Sequence, residues 1–213
     1  MSRRLCALIL ALLGGVSPSA GADVVDKVQA RYDATRDFTA SVRQELVLAS
    51  AGKTSTASGS VAFQKPGRMR WTLTDGAAQV IVADGTTLWF YEPQEHQVLK
   101  APFQAAFRST TPISFLTGVG RLRDDFDVTV EPGDLGRLVL RLRSRTGDGE
   151  LGGLRLTVDA DSYDIVGAEV TDPVGNVTRV QFSSLRRNVG LPADTFHFEV
   201  PPGVDVVEAP IGN

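Results

Sequence analysis

Residues that carry catalysis are scarce in this sequence. Its two histidines, His96 and His197, lie in a turn and at a strand end, and neither has a recognisable pattern of nucleophile or carboxylate around it. The sequence contains no G-x-S-x-G, the motif that presents the serine of many hydrolases. We therefore predict no catalytic site, no metal site and no cofactor.

Two loops match ligand-binding motifs only in part. Residues 147–152 fit G-x-G-x-x-G, but a strand is predicted after them, and their two carboxylates would repel a phosphate. Residues 159–164, DADSYD, resemble half of a calcium loop without its glycine and its distal glutamate. We interpret the first as a hairpin loop and the second as a turn.

Three arginines, Arg137, Arg141 and Arg143, alternate with leucines and form either a basic patch or the solvated face of a strand. The overall charge favours the solvated face, because the chain has 22 basic and 25 acidic residues, a formal charge of −3. Without Arg3 and Arg4 the counts are 20 and 25, a formal charge of −5. An acidic chain of this kind weighs against nucleic acid as a partner.

The N-terminus has the features of a secretory signal. Two arginines precede the apolar run LCALILALLGGV, and the small residues 20–22, AGA, fit a cleavage site. We predict a cleaved signal over residues 1–22 and one domain over residues 23–213, exported and without a transmembrane helix. The single cysteine, Cys6, lies inside the signal, so the mature chain would have neither a disulfide nor a lipid-modified cysteine.

Hydrophobic periodicity predicts one helix and many strands. Residues 24–36 form an amphipathic pattern with Asp23 as a plausible cap, and from residue 38 alternating runs between turn signals predict a mainly antiparallel meander. Residues 100–122 interrupt this meander, because their apolar side chains recur at helical spacing around two prolines. We predict two short helices in that region.

The stretch FQKPGRMRWTL, residues 63–73, alternates large apolar and polar side chains after a Lys-Pro-Gly break. With residues 76–77 as the tip of the first hairpin, Trp71 lies opposite Val82; a tip at residues 75–76 would exchange these partners. With residues 84–85 as the next tip, Val80 neighbours Trp89. The first register places these apolar side chains on one face: Met69, Trp71, Leu73, Val80, Val82, Trp89 and Tyr91. It places Ile81, Leu88 and Phe90 on the other face.

A stripe of this kind is most often simply core. An alternative is a pocket, because a sheet of ten or so strands presents more apolar area than three short helices cover, and Trp and Met suit adaptable sites.

The segments FQKPGRMRWTL, QVIVADGTTLWFYEPQEHQV (79–98) and TPISFLTG (111–118) closely resemble the periplasmic outer-membrane lipoprotein carrier proteins, the LolA family. The resemblance extends from FTASVRQ (38–44) to the ending FHFEVPPGVDV (196–206). It implies an α+β fold, mainly antiparallel: an open, incomplete half β-barrel of ten or eleven strands, with a helical lid over an apolar concave face.

The resemblance also implies roles for particular residues. The apolar face from Met69 to Tyr91 would line a cavity for acyl chains, and the lid residues Ile113, Phe115 and Leu116 would cover it. A basic residue before the proline holds the lid of family members closed, and it is usually arginine; here it is Lys65, with Arg68 as a possible replacement.

The implied partners are acylated lipoproteins, an inner-membrane ATP-driven exporter and an outer-membrane receptor, with the protein acting as a periplasmic monomer. Two other functions stay open: carriage of a free lipid or glycolipid, and a lipoprotein-sensing regulatory module.

Overall fold

The structure, a computed structural model, describes residues 20–76, 78–106, 121–145 and 153–209. Its helices are α1 (Ala20–Asp33), α2 (Phe103–Ala106) and α3 (Leu122–Asp125), with 3₁₀ turns at Pro93–Glu95 and Ala193–Phe196. The first six strands are β1 (Asp37–Leu48), β2 (Lys53–Gln64), β3 (Arg68–Asp75), β4 (Gln79–Asp84), β5 (Thr87–Glu92) and β6 (Gln97–Pro102). The others are β7 (Phe126–Pro132), β8 (Arg137–Ser144), β9 (Gly153–Asp159), β10 (Ile165–Thr171), β11 (Val177–Arg187) and β12 (Asp205–Glu208).

The twelve strands form one sheet in the order β12-β6-β5-β4-β3-β2-β1-β11-β10-β9-β8-β7. Neighbouring strands pair antiparallel except β12, which runs parallel to β6. Among the described strands no pairing joins β7 to β12, so the sheet is open. The predicted fold, a mainly antiparallel open half-barrel with few helices, is confirmed, with twelve strands rather than ten or eleven.

The first helix begins and ends earlier than its sequence pattern predicts. It is helical from Ala20, within the predicted cleavage motif, so Asp23 lies inside the first turn instead of at the cap. Asp23 also pairs with Lys27 at 2.6 Å. Val25 and Val28 are fully buried against the sheet, and this packing fixes the helix on the concave side. Cleavage after residue 22 stays a prediction.

The predicted register of the first hairpin is wrong by one residue. Trp71 lies opposite Ile81, not Val82, because the turn is centred on Gly76, which has a φ of +84°. A side chain at Gly76 would meet the Thr56 carbonyl oxygen at 2.3 Å, so both the backbone angle and the close approach require glycine here. A shift of one residue turns every side chain of one strand to the opposite face relative to its neighbour.

The second hairpin keeps its predicted faces, although its partners differ. Val80 pairs with Tyr91 and Val82 with Trp89, a shift of two residues from the predicted pairing. A shift of two leaves each side chain on the same face, because strand side chains alternate with a period of two. Val80, Val82, Trp89 and Tyr91 therefore share a face, but it is the face opposite Trp71.

Two apolar clusters lie on the sheet. The first lies on the strands β1–β4 and β11 and includes Phe63, Trp71 and Phe182. Phe103 from α2 also belongs to it. The second joins Val25 and Val28 of α1 to the strands β7–β10 and to the helix α3. Of the two helices predicted within residues 100–122, α2 lies in that range, α3 begins only at its last residue, and residues 107–120 lie outside the described residues. The predicted lid residues Ile113, Phe115 and Leu116 lie outside the described residues.

None of the helices in the described part of the chain has the length and apolar character that crossing a bilayer requires.

Candidate functional site

Four aromatic rings form a continuous group on the concave face. Phe38 stacks on Phe63 with ring centroids 4.8 Å apart, and the Trp71 ring meets Phe63 edge-on at 6.3 Å. Phe182 completes the group at 6.1 Å from Trp71 and 6.4 Å from Phe38. These residues come from four consecutive strands of the sheet, β3, β2, β1 and β11, and their side chains converge on one face. The group is an apolar floor at the centre of the sheet.

A narrow cavity, open to solvent, lies between the end of α1 and this floor. Val28 and Tyr32 of α1 form one wall, and Phe38, Phe63 and Leu185 of the sheet form the other. Apolar surface of this kind is where an apolar ligand gains free energy by leaving water. The cavity shares two of its rings with the aromatic group.

Two carboxylates at the rim of this cavity, Asp164 and Asp37, accept hydrogen bonds from other parts of the chain. Asp164 accepts a hydrogen bond from Arg31 Nε at 2.8 Å and faces Arg187 Nε at 3.2 Å. The Asp37 carboxylate accepts hydrogen bonds from the backbone N–H groups of Val189 and Gly190. These contacts attach α1 and the chain after β11 to the same rim.

Lys65 joins the β2–β3 turn to the end of α1. Its ammonium group donates a hydrogen bond to the backbone oxygen of Tyr32 and lies 3.3 Å from the centroid of the Tyr32 ring. Burial lowers the pKa of Lys65 to about 8, and the nearby Asp33 carboxylate opposes this shift. Arg68 donates to the Gln64 side chain at 3.0 Å. Of the two predicted basic residues, Lys65 is the one that bonds to helix backbone.

The seven residues predicted to line one cavity are divided between the two faces of the sheet. Met69, Trp71 and Leu73 lie on the concave face and are almost fully buried. The other four, Val80, Val82, Trp89 and Tyr91, lie on the convex face, so their predicted place on the same face as Trp71 is wrong.

The C-terminal segment covers the convex face. The Phe198 ring lies 6.1 Å from both Trp89 and Tyr91, and the turn that contains Phe196 packs on β3 and β4. Arg70 fixes the segment by donating hydrogen bonds to the backbone oxygens of Thr195 and His197. This cover explains how the second apolar face is kept from water.

Sequence reasoning missed several concave-face residues. In the structure Ile81 follows Trp71 on the concave face, and Phe90 and Leu99 continue the row, each directly opposite the one before. Phe38 and Phe63 were also missed. The sequence contains a signal for them, because apolar residues recur at every second position: Phe38, Ala40 and Val42 on β1, and Val61 and Phe63 on β2.

The remaining motifs have structural explanations. Asp159 caps the turn after β9 by accepting hydrogen bonds from the N–H groups of Ser162 and Asp161, and the Ser162 bond lowers the pKa of its carboxyl. Arg141 pairs with Glu131 at 2.7 Å on the solvated face of β8. Both interpretations, a turn and a solvated strand face, are confirmed. The G-x-G-x-x-G stretch, residues 147–152, lies outside the described residues.

In the described ranges no cluster of three or more His, Cys, Asp or Glu side chains has the arrangement that could hold a metal ion. The two histidines are both exposed.

A family model described as outer membrane lipoprotein carrier protein LolA matches residues 33–199, which is most of the chain. The chain belongs to the LolA family. Membership of the LolA family supports a periplasmic lipoprotein-carrier role and confirms the resemblance seen in the sequence.

Relatives of this LolA-family chain match it over almost its whole length. An outer-membrane lipoprotein carrier protein from Bordetella avium (strain 197N) is 34% identical, over 98% of this chain and 97% of its own. One from Legionella pneumophila (strain Lens) is 33% identical, over 98% and 100%.

A solved structure shares the fold. An uncharacterized conserved protein from Thermus thermophilus has a TM-score of 0.52 at 14% identity, over 88% of this chain and 98% of that one.

Proposed function

We propose that this protein carries acylated lipoproteins across the periplasm, with their acyl chains on the concave face of the half-barrel. It would receive them from an inner-membrane ATP-driven exporter and deliver them to an outer-membrane receptor. The observation that carries the proposal is the apolar cavity between α1 and the rings of Phe38 and Phe63, which belong to the aromatic group. Family membership supports the same class of cargo.

A carrier is required because acyl chains hold their protein in a membrane. Each CH₂ group buried in the bilayer is worth about 0.8 kcal/mol, so several long chains make release into water extremely rare. A soluble carrier must therefore offer an apolar surface of its own. The concave face supplies that surface, with the four aromatic rings of β1, β2, β3 and β11 as its floor.

The carrier must also release its cargo. In the structure α1 covers part of the concave face, and Lys65 bonds it to the β2–β3 turn. Loading requires these contacts to open, and the cost of opening lowers the net affinity for acyl chains. Unloading restores them. We propose that Lys65 has the role that arginine has in other family members, and that Met69, Trp71 and Leu73 contact the acyl chains.

The experiment is a release assay with variants on the two faces of one strand. Ile81 and Val80 are neighbours on β4, both half-buried, on the concave and convex faces respectively. Wild-type protein added to energised spheroplasts should bring lipoproteins into the soluble fraction as a one-to-one complex. Ile81→Glu places a charge on the acyl-chain surface and should abolish release, whereas Val80→Glu should retain it.

Thermal unfolding of both variants controls for misfolding. Equal release by Ile81→Glu and wild type would remove the concave face from the mechanism. A supernatant without lipoprotein, together with extractable lipid on the recovered protein, would replace lipoprotein carriage by carriage of a free lipid.

A further inference from the structure

The indole N–H of Trp71 is a buried hydrogen-bond donor without an acceptor among the described residues. Its side chain is 4% exposed, and no atom in the described ranges accepts a hydrogen bond from Nε1. Buried polar groups are nearly always paired, because an unmade hydrogen bond costs free energy that water would otherwise supply. The exception stands at the centre of the apolar floor, where a phenylalanine would pack without this cost.

Trp71 lies one ring deeper than the cavity under α1. Phe38 and Phe63 line that cavity, and the Phe63 ring contacts the Trp71 ring edge-on. An apolar chain that enters the cavity and displaces or slides past Phe63 meets Trp71 next.

A row of apolar side chains leads from Trp71 toward the sheet edge and reaches β6, the strand next to the edge strand β12. Ile81, Phe90 and Leu99 each lie directly opposite the residue before, on β4, β5 and β6. Adjacent strands are about 4.8 Å apart, so the row is about 14 Å long. Its exposure increases outward: Trp71 is buried, Ile81 and Phe90 are half-buried, and Leu99 is 37% exposed. The row presents incompletely buried apolar surface in line with the unpaired donor.

We propose that the Trp71 Nε1–H donates a hydrogen bond to a carbonyl oxygen of the cargo's acyl groups, and that the attached chain follows the row to Leu99. The inference rests on the proposed function and adds what the site recognises: the ester or amide linkage as well as the hydrocarbon. Binding satisfies a buried donor that the described residues leave unpaired. A plain hydrocarbon would fill the row but leave the donor without a partner.

The test compares two synthetic lipopeptides. In the first, a thioether-linked diacylglycerol modifies the N-terminal cysteine; in the second, CH₂ groups replace both ester carbonyls. Trp71→Phe keeps an aromatic ring and removes the donor. Trp89→Phe, on the convex face, is the matched control. Affinities for the mature chain are measured by displacement of a fluorescent fatty-acyl probe.

Wild type and Trp89→Phe should prefer the ester to the ether by about five- to tenfold, the effect of one net hydrogen bond. Trp71→Phe should lose that preference. Its smaller ring changes the affinities for both lipopeptides alike and leaves their ratio as the readout. If Trp71→Phe keeps the preference, or wild type binds ester and ether equally, the inference is overturned and the carrier proposal stands. If wild type binds neither lipopeptide, both are overturned.

A second measurement needs no change at position 71. The chain has two tryptophans, so its ¹H–¹⁵N spectrum contains two indole N–H signals, and Trp89→Phe identifies that of Trp71. The Trp71 signal should move downfield with the diester and stay near its original position with the diether. A Trp71 signal that responds identically to both ligands would overturn the hydrogen bond.

Discussion

Lys65 Nζ lies 3.3 Å from the centroid of the Tyr32 ring and donates a hydrogen bond to the backbone oxygen of the same residue. One side chain thus contacts both the ring and the main chain at the end of α1. The position is half-buried, and burial lowers the pKa of Lys65 to about 8. The contact between the β2–β3 turn and α1 therefore depends on a group that titrates close to neutral pH.

Stability should depend on pH through Lys65. An ordinary lysine has a pKa of about 10.4, so between pH 8 and that value the unfolded chain binds the proton that the folded chain has released. The free energy of unfolding of the wild type should therefore rise across this window, relative to that of Lys65→Met. Urea unfolding of both proteins at a series of pH values from 7 to above 10 measures the difference.

Other titrating groups cancel in this comparison, because the two proteins differ at one position. A difference between wild type and Lys65→Met that stays constant across the window would show that burial does not shift the pKa of Lys65.

Asp164 should stabilise the attachment of α1. Its carboxylate is 15% exposed and forms ion pairs with Arg31 and Arg187. Asp164→Asn removes the negative charge from both pairs. We expect the free energy of unfolding to fall by about 1.5 to 3 kcal/mol, the usual range for hydrogen bonds to charged groups. Chemical denaturation monitored by circular dichroism gives the value.

Asp124 provides the control, because it pairs with Arg121 at 2.9 Å but is 68% exposed. Asp124→Asn should change stability by no more than about 0.5 kcal/mol. Equal losses in the two variants would mean that burial at the cavity rim adds nothing to the Asp164 contacts.

Phe196 should anchor the C-terminal segment to the convex face. It is 2% exposed, and Phe196→Ala should lower the free energy of unfolding by about 3 to 5 kcal/mol, as truncation of a buried phenylalanine usually does. With Trp71→Phe in both proteins, Trp89 is the single emitter, and its fluorescence should shift to the red because the Phe198 ring beside it loses its attachment. Unfolding curves followed by this fluorescence measure both effects.

The matched change is Val200→Ala in the same segment, where the side chain is 40% exposed and a loss below about 0.5 kcal/mol is expected. An undisturbed Trp89 spectrum in Phe196→Ala would show that the segment is held by Arg70 and the β12 pairing alone.

Much of the fold was predictable because strands and turns leave local signals. The alternation of FQKPGRMRWTL corresponds to β3, and the Asp-Gly pairs at residues 75–76 and 84–85 lie at the two following turns. The face of the sheet on which each side chain lies was harder to predict. On β4 and β5 both faces are apolar, since Val80 and Ile81 point opposite ways, and likewise Trp89 and Phe90. Alternation cannot distinguish two apolar faces.

The information that separates the faces lies far away in the chain. Phe196 and Phe198 cover the convex side from a segment about a hundred residues downstream, and a tertiary contact of that separation leaves no mark in the local pattern. The register itself depends on the turn at Gly76. One residue more or fewer in that turn changes which residues of β3 and β4 are paired. The division of the predicted cavity residues follows from these two facts.

The pairing of β1 with β11 has a consequence for biogenesis. Phe38 is paired with Arg187, so the middle of the sheet joins the two distant parts of the chain. Closing so long a loop is slow, and the half-barrel cannot be completed until nearly the whole polypeptide has emerged from the ribosome. A chain with the predicted export signal must be threaded through a translocation channel before it folds. A sheet whose central pair requires both distant parts of the chain cannot be completed while the nascent protein is still passing through such a channel.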